Sequence, residues 1–252
     1  MNKDRFFFPA LAILISSVCF AGFSFTYFGP IAGGSYPPAK AALHLHGWSF
    51  FLWYLLFPLQ TMLISHGKYN FHRTLGRLSM LLVLIMTVTG IVVLTVRVEE
   101  ATRHGGPQTW LLYGPLIFSN LVLFVSFYAA AVYMAVKRKI QAHKRLIIIA
   151  SSIALGAGFF RLILHLSGFH PLSLPTGVLA CSLFIVIGIV YDWLAHGKVH
   201  PVYWIGLGAL FVVEGSLLPQ LNSELVALVN ERLALIGQHL AVLYQPHPTV
   251  EF

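Results

Sequence analysis

The residues most able to do chemistry in this sequence are histidines inside or at the ends of apolar segments. The stretch 42–77 carries His44 and His46 near its start and His72 and Arg73 near its end. A helix that faces lipid is not expected to contain so many imidazoles, because unpaired polar groups in hydrocarbon raise the free energy of the protein. Imidazole nitrogens bind haem iron and transition metals, so the pattern favours a binding site within a membrane protein.

The composition also points to a membrane protein. Hydrophobic residues make up 58% of the 252-residue chain and charged residues 10%, and the mean hydropathy is +0.79. Soluble domains average about 45–50% apolar and about 25% charged residues. We therefore expect the lipid bilayer to surround the protein. The net charge of +8 does not indicate nucleic-acid binding, because the basic residues fall in short loops between apolar runs.

Seven apolar runs are predicted to cross the membrane, each close to the roughly 20 residues that the hydrocarbon core requires. They are Phe6–Phe28, Ala42–Ser65, Leu75–Val96, Trp110–Val136, Leu146–Leu166, Thr176–Ala195 and Val202–Leu221. Lysine and arginine concentrate in the loops of one side, which places the N-terminus inside and the C-terminus outside. The prediction is an all-α integral membrane protein with a seven-helix domain over residues 1–221.

The remaining residues, 222–252, are predicted to lie outside the membrane. Apolar residues recur there at helical spacing with polar residues between them, which is typical of an amphipathic helix. These apolar residues are Leu225, Val229, Leu233, Ile236, Leu240 and Leu243. Glu231 and Arg232 in the middle argue against an eighth span, so we expect a helix along the outer membrane face followed by a disordered tail.

With this topology, one group of polar side chains falls at the outer level of the bilayer. It comprises His44, His46, Arg161, His165 and Glu214. Arg161 and His165 are four residues apart and therefore share a helix face. An arginine within a span normally finds a partner, and Glu214 at a comparable depth is the predicted counter-ion in an Arg161–Glu214 ion pair.

A second group falls at the inner level. His72 opens the sequence HRTLGR and His143 opens HKR, and the similarity of these two segments suggests matching depth. Asp192 and His196 are four apart, a spacing at which a carboxylate can orient an imidazole. His200 follows in the next turn.

Two imidazoles from different helices at equal depth are what six-coordinate haem b requires. We predict His46 and His165 as an outer pair of ligands, with Arg161 as the partner of a propionate. His72 and His143 form the predicted inner pair. Imidazoles and a carboxylate also suit a transition metal, for which the candidate ligands are His44, His46, His165, Asp192, His196 and His200.

Four motifs between Leu43 and Pro201 carry a resemblance to known proteins. They are HxHG in HLHGWSFFLWYLLFPLQ, HRxLGR in FHRTLGRLS, HKR in AHKRLIIIAS and HGxxHP in YDWLAHGKVHP. The pattern resembles a group of uncharacterised bacterial inner-membrane proteins with seven helices, which implies a multi-pass protein of the bacterial cytoplasmic membrane. The arrangement of histidines is more distantly similar to membrane diheme cytochromes b. That similarity implies His46, His72, His143 and His165 as paired haem ligands.

Three functional hypotheses follow, and whether the chain is an enzyme stays open. The first is a haem b or metal-binding protein that transfers electrons to a redox partner. The second is a non-catalytic membrane subunit or assembly factor of a larger complex, or an oligomer. The third is a transporter of a small or proton-linked solute that uses Arg161 and Glu214.

Overall fold

The computed structural model describes residues 3–39, 41–106, 108–168, 173–220 and 223–244, and all regular structure in them is helical. This confirms the predicted all-α class. The α-helices are α1 (Asp4–Phe23), α2 (Gly29–Ala32), α3 (Ala41–Ser65), α4 (Tyr69–Arg103), α5 (Thr109–Val136), α6 (Ile140–Ala154), α7 (Gly156–Leu166), α8 (Ser173–Ala180), α9 (Ser182–His196), α10 (Pro201–Leu217) and α11 (Glu224–Tyr244). A π-helical stretch, Ser24–Phe28, joins α1 to α2, and a short 3₁₀ turn, Leu218–Gln220, follows α10.

Within the described ranges, five helical segments are long and apolar enough to cross a membrane. They are Asp4–Ala32, Ala41–Ser65, Tyr69–Arg103, Thr109–Val136 and Glu224–Val242. Helices α6 and α7 would form a sixth span if they are taken together. These helices are compatible with a multi-pass membrane protein. The count of seven spans, the orientation and the bacterial inner membrane stay predictions.

The predicted fifth and sixth spans are interrupted. Helix α6 ends at Ala154, and α7 starts at Gly156 with a bend of 49° between the two. The span predicted over Thr176–Ala195 is divided at Cys181 into α8 and α9. Helix α9 has 15 residues, roughly 22 Å at 1.5 Å per residue, which is shorter than the hydrocarbon core of about 30 Å.

Small residues hold the bent helix against α1. Gly158 of α7 faces Cys19 and Gly22 of α1 so closely that a Cβ at Gly22 would overlap the Gly158 carbonyl group. Without a hydrophobic drive between helices in lipid, such backbone proximity supplies van der Waals contact. The glycines therefore fix the position of α7 after the break.

Several chain segments meet at one end of the bundle, which we call the basic end. It comprises the start of α1, the turns at residues 66–68 and 137–139, and the turn at 197–200. Contacts join them: Lys144 and His196 both reach Asp4, and the His72 and His143 rings are neighbours. The site described below lies at this end.

Helix α11 runs back along α4, in the direction opposite to it. Asn230 donates a hydrogen bond to the Leu111 carbonyl at 2.6 Å, and Arg103 pairs with Glu231 at 3.2 Å. Further along, Gly237 lies directly against the Thr95 carbonyl. The predicted helix is thus present, and it packs on the long helix α4. Its predicted place outside the membrane stays a prediction.

The contact of Gly237 with α4 predicts a position-dependent response to an added methyl group. In Gly237→Ala the new Cβ overlaps the Thr95 carbonyl, so we expect a loss of about 1–3 kcal/mol in the free energy of unfolding. The matched control is Gly208→Ala, because Gly208 of α10 has open space around its Cβ position. Alanine there gains helix propensity of roughly 0.5–1 kcal/mol. The measurement is the thermal unfolding of both purified variants in detergent, and equal effects would contradict the packing of α11.

Candidate functional site

The predicted inner pair of histidines is brought together at the basic end. His72 lies in the first turn of α4 and His143 in the first turn of α6. Their ring centroids are 6.3 Å apart, and the ring planes make an angle of 79°. The rings are half-buried, so the pair lies between helices near the end of the bundle.

Each of these rings is oriented through its Nδ1 atom. His143 Nδ1 donates to the Ala131 carbonyl at 2.9 Å, and since a carbonyl only accepts, His143 Nε2 keeps a free lone pair. His72 Nδ1 lies 2.6 Å from the side-chain amide of Gln60 in α3. A hydrogen bond from Nδ1 to a carbonyl is the usual way in which proteins orient a metal-binding histidine.

The Gln60 amide decides which nitrogen of His72 carries the proton. With its NH₂ group toward His72, the amide donates to Nδ1 at 2.6 Å and to the His72 carbonyl at 3.2 Å, and its oxygen accepts from Gly76 N at 2.9 Å. Rotated by 180°, the amide presents its oxygen to Nδ1 and leaves His72 Nε2 free, but its oxygen then faces the His72 carbonyl and its NH₂ group faces the Gly76 N–H, so both of those hydrogen bonds are lost. With Gln60 in its hydrogen-bonded orientation, Nδ1 of His72 accepts and Nε2 carries the proton, so ligation of a metal by Nε2 would require the amide to rotate and give up two hydrogen bonds.

The spacing of the two rings fits a shared metal ion. If each imidazole binds through Nε2 at about 2.0–2.1 Å, two centroids on opposite sides of the ion lie about 6 Å apart. The centroids of His72 and His143 are 6.3 Å apart. Two imidazoles on opposite sides of one iron is also the axial ligation of a six-coordinate haem.

The structure gives the two rings of the predicted outer pair different neighbours. His46 Nδ1 is 3.4 Å from the Thr89 hydroxyl of α4, and its ring packs on Phe50. His165 Nδ1 donates to the Arg161 carbonyl at 2.9 Å. The His165 ring stacks on Phe25 in the π-helical stretch, with centroids 4.8 Å apart. The predicted outer ligation therefore lacks the ring-to-ring approach that the inner pair has.

The other predicted outer residues also have local partners. His44 Nδ1 is 2.8 Å from the Tyr27 hydroxyl. Arg161 donates to the Ala157 carbonyl at 2.8 Å, and its guanidinium lies 4.5 Å from the centroid of the Phe23 ring. Arg161 is within electrostatic reach of His46.

The predicted Arg161–Glu214 ion pair is not formed. Glu214 is 0% exposed, and within the described part of the chain neither of its carboxylate oxygens has a hydrogen-bond partner. Arg161 instead lies over Phe23 on α1. Equal depth on two helices did not make these two side chains face each other.

Asp192 pairs with Arg145 and not with His196, which corrects the predicted orientation of that imidazole. Arg145 donates to the two carboxylate oxygens of Asp192 at 2.6 and 2.8 Å, and the two side chains are 4% and 1% exposed. A bidentate guanidinium is a stronger partner for a carboxylate than a single imidazole. Asp192 also accepts the backbone N–H of His200 at 3.0 Å.

His196 contacts Asp4, at the start of α1. Its Nε2 lies 3.1 Å from the Asp4 carboxylate, which also accepts from the Lys144 amine at 2.5 Å and from the Tyr191 hydroxyl at 2.7 Å.

His200, in the turn before α10, has a different environment. Burial, with Arg145 nearby, lowers the pKa of His200 and favours its neutral form.

The transition-metal set proposed from the sequence stays a prediction. Across the described ranges, no three His, Cys, Asp or Glu side chains converge as a metal group would require. At the basic end the rings of His72 and His143 are neighbours, and their role as ligands stays a prediction.

Sequence reasoning missed the role of Arg145, Lys144 and Asp4, because it treated the two basic residues as loop charges that set topology. One signal was available: Asp192 lies inside a predicted span, and a carboxylate there normally has a partner. The nearest basic residues at the same depth are those that open α6. Depth alone did not identify which of them is buried.

Comparison with known proteins adds no assignment: no family model, curated protein or solved structure matches this chain.

The buried Arg145–Asp192 pair predicts a distinctive pattern of stability. Arg145→Met or Asp192→Asn leaves one partner buried without its counter-charge, which costs about 3–5 kcal/mol of unfolding free energy. The double variant Arg145→Met/Asp192→Leu removes both charges and should be more stable than either single variant. Thermal unfolding in detergent measures this. Lys68→Met, at an exposed position of the same end, is the control, and a double variant no better than the singles would contradict the pairing.

Proposed function

We propose that the chain is a membrane electron-transfer protein that binds one haem b, or a single transition-metal ion, between His72 and His143. The observation that carries this proposal is the 6.3 Å separation of two imidazole rings on different helices. Edge-to-face packing of two rings occurs at about 4.5–7 Å, and shared ligation of one metal requires about 6 Å, so the observed distance fits a shared ligand as well as a packing contact.

The hydrogen bonds around the two rings support the same proposal. The Ala131 carbonyl holds the His143 ring with Nε2 free, and the Gln60 amide would do the same for His72 after a rotation that gives up its hydrogen bonds to the His72 carbonyl and the Gly76 N–H. Partners of this kind fix ring orientation and raise ligand basicity. A site made in this way is oriented by three helices, α3, α5 and α6, in addition to α4.

The charges at the basic end suit haem better than a free metal ion. Arg73 follows His72 directly, Arg77 lies one turn further along α4, and both side chains are exposed. Arginine recognises carboxylates by bidentate, charge-assisted hydrogen bonds. These arginines are therefore the candidate partners for the two propionates.

When bound, haem would supply one-electron oxidation and reduction. The residues of this chain would hold the iron by two nitrogens, keep the tautomers of both imidazoles fixed and surround the ring with protein in place of water. Axial ligand identity, hydrogen bonding to the ligands and burial are the means by which a protein sets a haem potential. Gln60 is the residue through which this chain would adjust it.

The proposal predicts a haem spectrum that depends on two named histidines. Full-length protein, purified from haem-supplied cells and then incubated with hemin, should show a Soret band with about one haem per chain. His72→Ala and His143→Ala should each abolish the six-coordinate spectrum. Gln60→Leu should keep the ligands but weaken haem binding by about 10–100-fold, the usual cost of losing a hydrogen bond behind a ligand.

The control variant is His66→Ala. His66 is an exposed histidine of the same end, and its Nδ1 donates to the Met62 carbonyl at 2.8 Å. It should leave the spectrum unchanged. A protein without a Soret band and without stoichiometric metal after reconstitution, or a spectrum that survives loss of His72 and His143, would rule the proposal out.

A further inference from the structure

A second polar group in the structure lies where two interrupted helices meet α10, far from the histidine pair. Helix α7 starts anew at Gly156, and α9 starts after Cys181. A Cβ built on Gly156 would be 3.9 Å from both Asn120 Oδ1 and Cys181 Sγ. Glu214 of α10 interacts electrostatically with Cys181 and lies next to the amide of Asn120. The two breaks and the carboxyl group therefore share one region of the interior.

Glu214 is the unusual member of this group. It is 0% exposed, and neither carboxylate oxygen has a hydrogen-bond partner among the described residues. Asn120 Nδ2 donates one hydrogen to the Leu116 carbonyl at 3.0 Å, so its second amide hydrogen is the donor available near Glu214, and the Cys181 thiol lies 3.7 Å from the Gly177 carbonyl. Neither neighbour is a cation, and among the described residues Glu214 forms no ion pair that would neutralise a carboxylate.

Few titratable groups face Glu214 from the helices around it. Helix α5 contributes Tyr113, which packs near Leu217, and the junction of α8 and α9 contributes Cys181. The Arg161 side chain of α7 lies over Phe23 on α1.

On α6 and α9, the charges are those of Arg145 and Asp192, which pair with each other near Tyr203. Tyr203 precedes Glu214 by eleven residues on α10, roughly 16 Å along the helix axis. This ion pair therefore cannot act as a local counter-charge for the carboxyl group.

We propose that Glu214 is a proton-binding site in the interior of the membrane domain, occupied by a proton in this structure. A buried carboxylate without a partner is unfavourable, and protonation removes its charge. A metal ion would need several more oxygen ligands, whereas in the described part of the chain this group offers the side-chain oxygens of Glu214 and Asn120. Interrupted helices around an intramembrane carboxyl group are the arrangement that proton-linked transporters use.

This inference goes beyond the proposed function and does not depend on it. It uses α5, α7, α9 and α10, whereas the proposed haem site uses the start of α4 and α6. Loss of haem binding would leave the protonation of Glu214 unchanged, and the reverse also holds.

The test is labelling of the full-length protein in membranes with dicyclohexylcarbodiimide, an apolar reagent specific for protonated carboxyl groups. The acid's proton adds to one nitrogen of the reagent and its oxygen to the central carbon, and the adduct rearranges to a stable N-acylurea. Mass spectrometry of the digested protein should find Glu214 labelled at least tenfold more than Asp192 or Glu99. These two are matched internal controls, because both are buried but paired, with Arg145 and His104 respectively.

Two further arms make the outcome decisive. Labelling should fall as the pH is raised, and Glu214→Gln should abolish it while Glu214→Asp retains it. The infrared spectrum of the wild-type protein should contain a carboxylic acid C=O band that shifts in D₂O, which requires no variant to fold. Absence of both label and band would overturn the proposal, as would protection of Glu214 by Na⁺ at constant pH, which would identify a sodium site.

Discussion

An apolar environment tolerates few charges without partners, and the described structure depends on the pair that Arg145 makes with Asp192. This pair ties the start of α6 to the end of α9, and the His200 N–H bond to the same carboxylate adds the start of α10. Asp4 performs a related task nearby, because it joins α1 to Lys144 of α6 and to Tyr191 and His196 of α9. Four helices are thereby held at one end of the bundle.

The charges of Arg145, Asp192 and Asp4 all have partners, whereas a few other described polar groups keep a hydrogen-bonding atom without a partner. At the basic end, His143 retains a free Nε2, whereas His72 gains one only if the Gln60 amide rotates and gives up two hydrogen bonds. In the interior, Glu214 has a carboxyl group without a hydrogen-bond partner in the described ranges. Structural residues in such an environment are normally paired, so incomplete pairing at these two places is the physical basis of both functional proposals.

The sequence predicted the level of polar side chains along the helix bundle better than it predicted which neighbouring helix they face. Hydropathy located α3 and α5 nearly to their ends, because about 20 apolar residues in a row have few alternatives to a helix. Helix α4 extends well beyond the predicted span at both ends, where its polar residues lower the hydropathy. The shared entry motifs HRTLGR and HKR placed His72 and His143 at one level, and the structure brings them together. For Arg161 and Glu214 the predicted depths were comparable, yet the side chains point to different helices. Rotation about a helix axis depends on packing, which a single apolar run does not encode.

Hydropathy also could not predict where helices are interrupted or which charged side chains are buried. A window average is the same for a straight helix and for one bent at Leu155 or divided at Cys181. Counting basic residues per loop likewise treats Arg145 as equivalent to Arg77, although the first is buried and the second exposed. For α11, Glu231 and Arg232 argued for a surface helix, whereas the structure satisfies Glu231 with Arg103 and packs the helix against α4.

The most direct measurement of the central claim, that His72 and His143 hold one iron between them, is the low-temperature EPR spectrum of the oxidised, hemin-reconstituted protein. Two axial imidazoles whose planes lie at 79° predict a strongly anisotropic low-spin ferric signal, and replacing either histidine should convert it to a high-spin signal. A high-spin signal in the wild-type protein, or a low-spin signal that persists in both variants, would contradict the account.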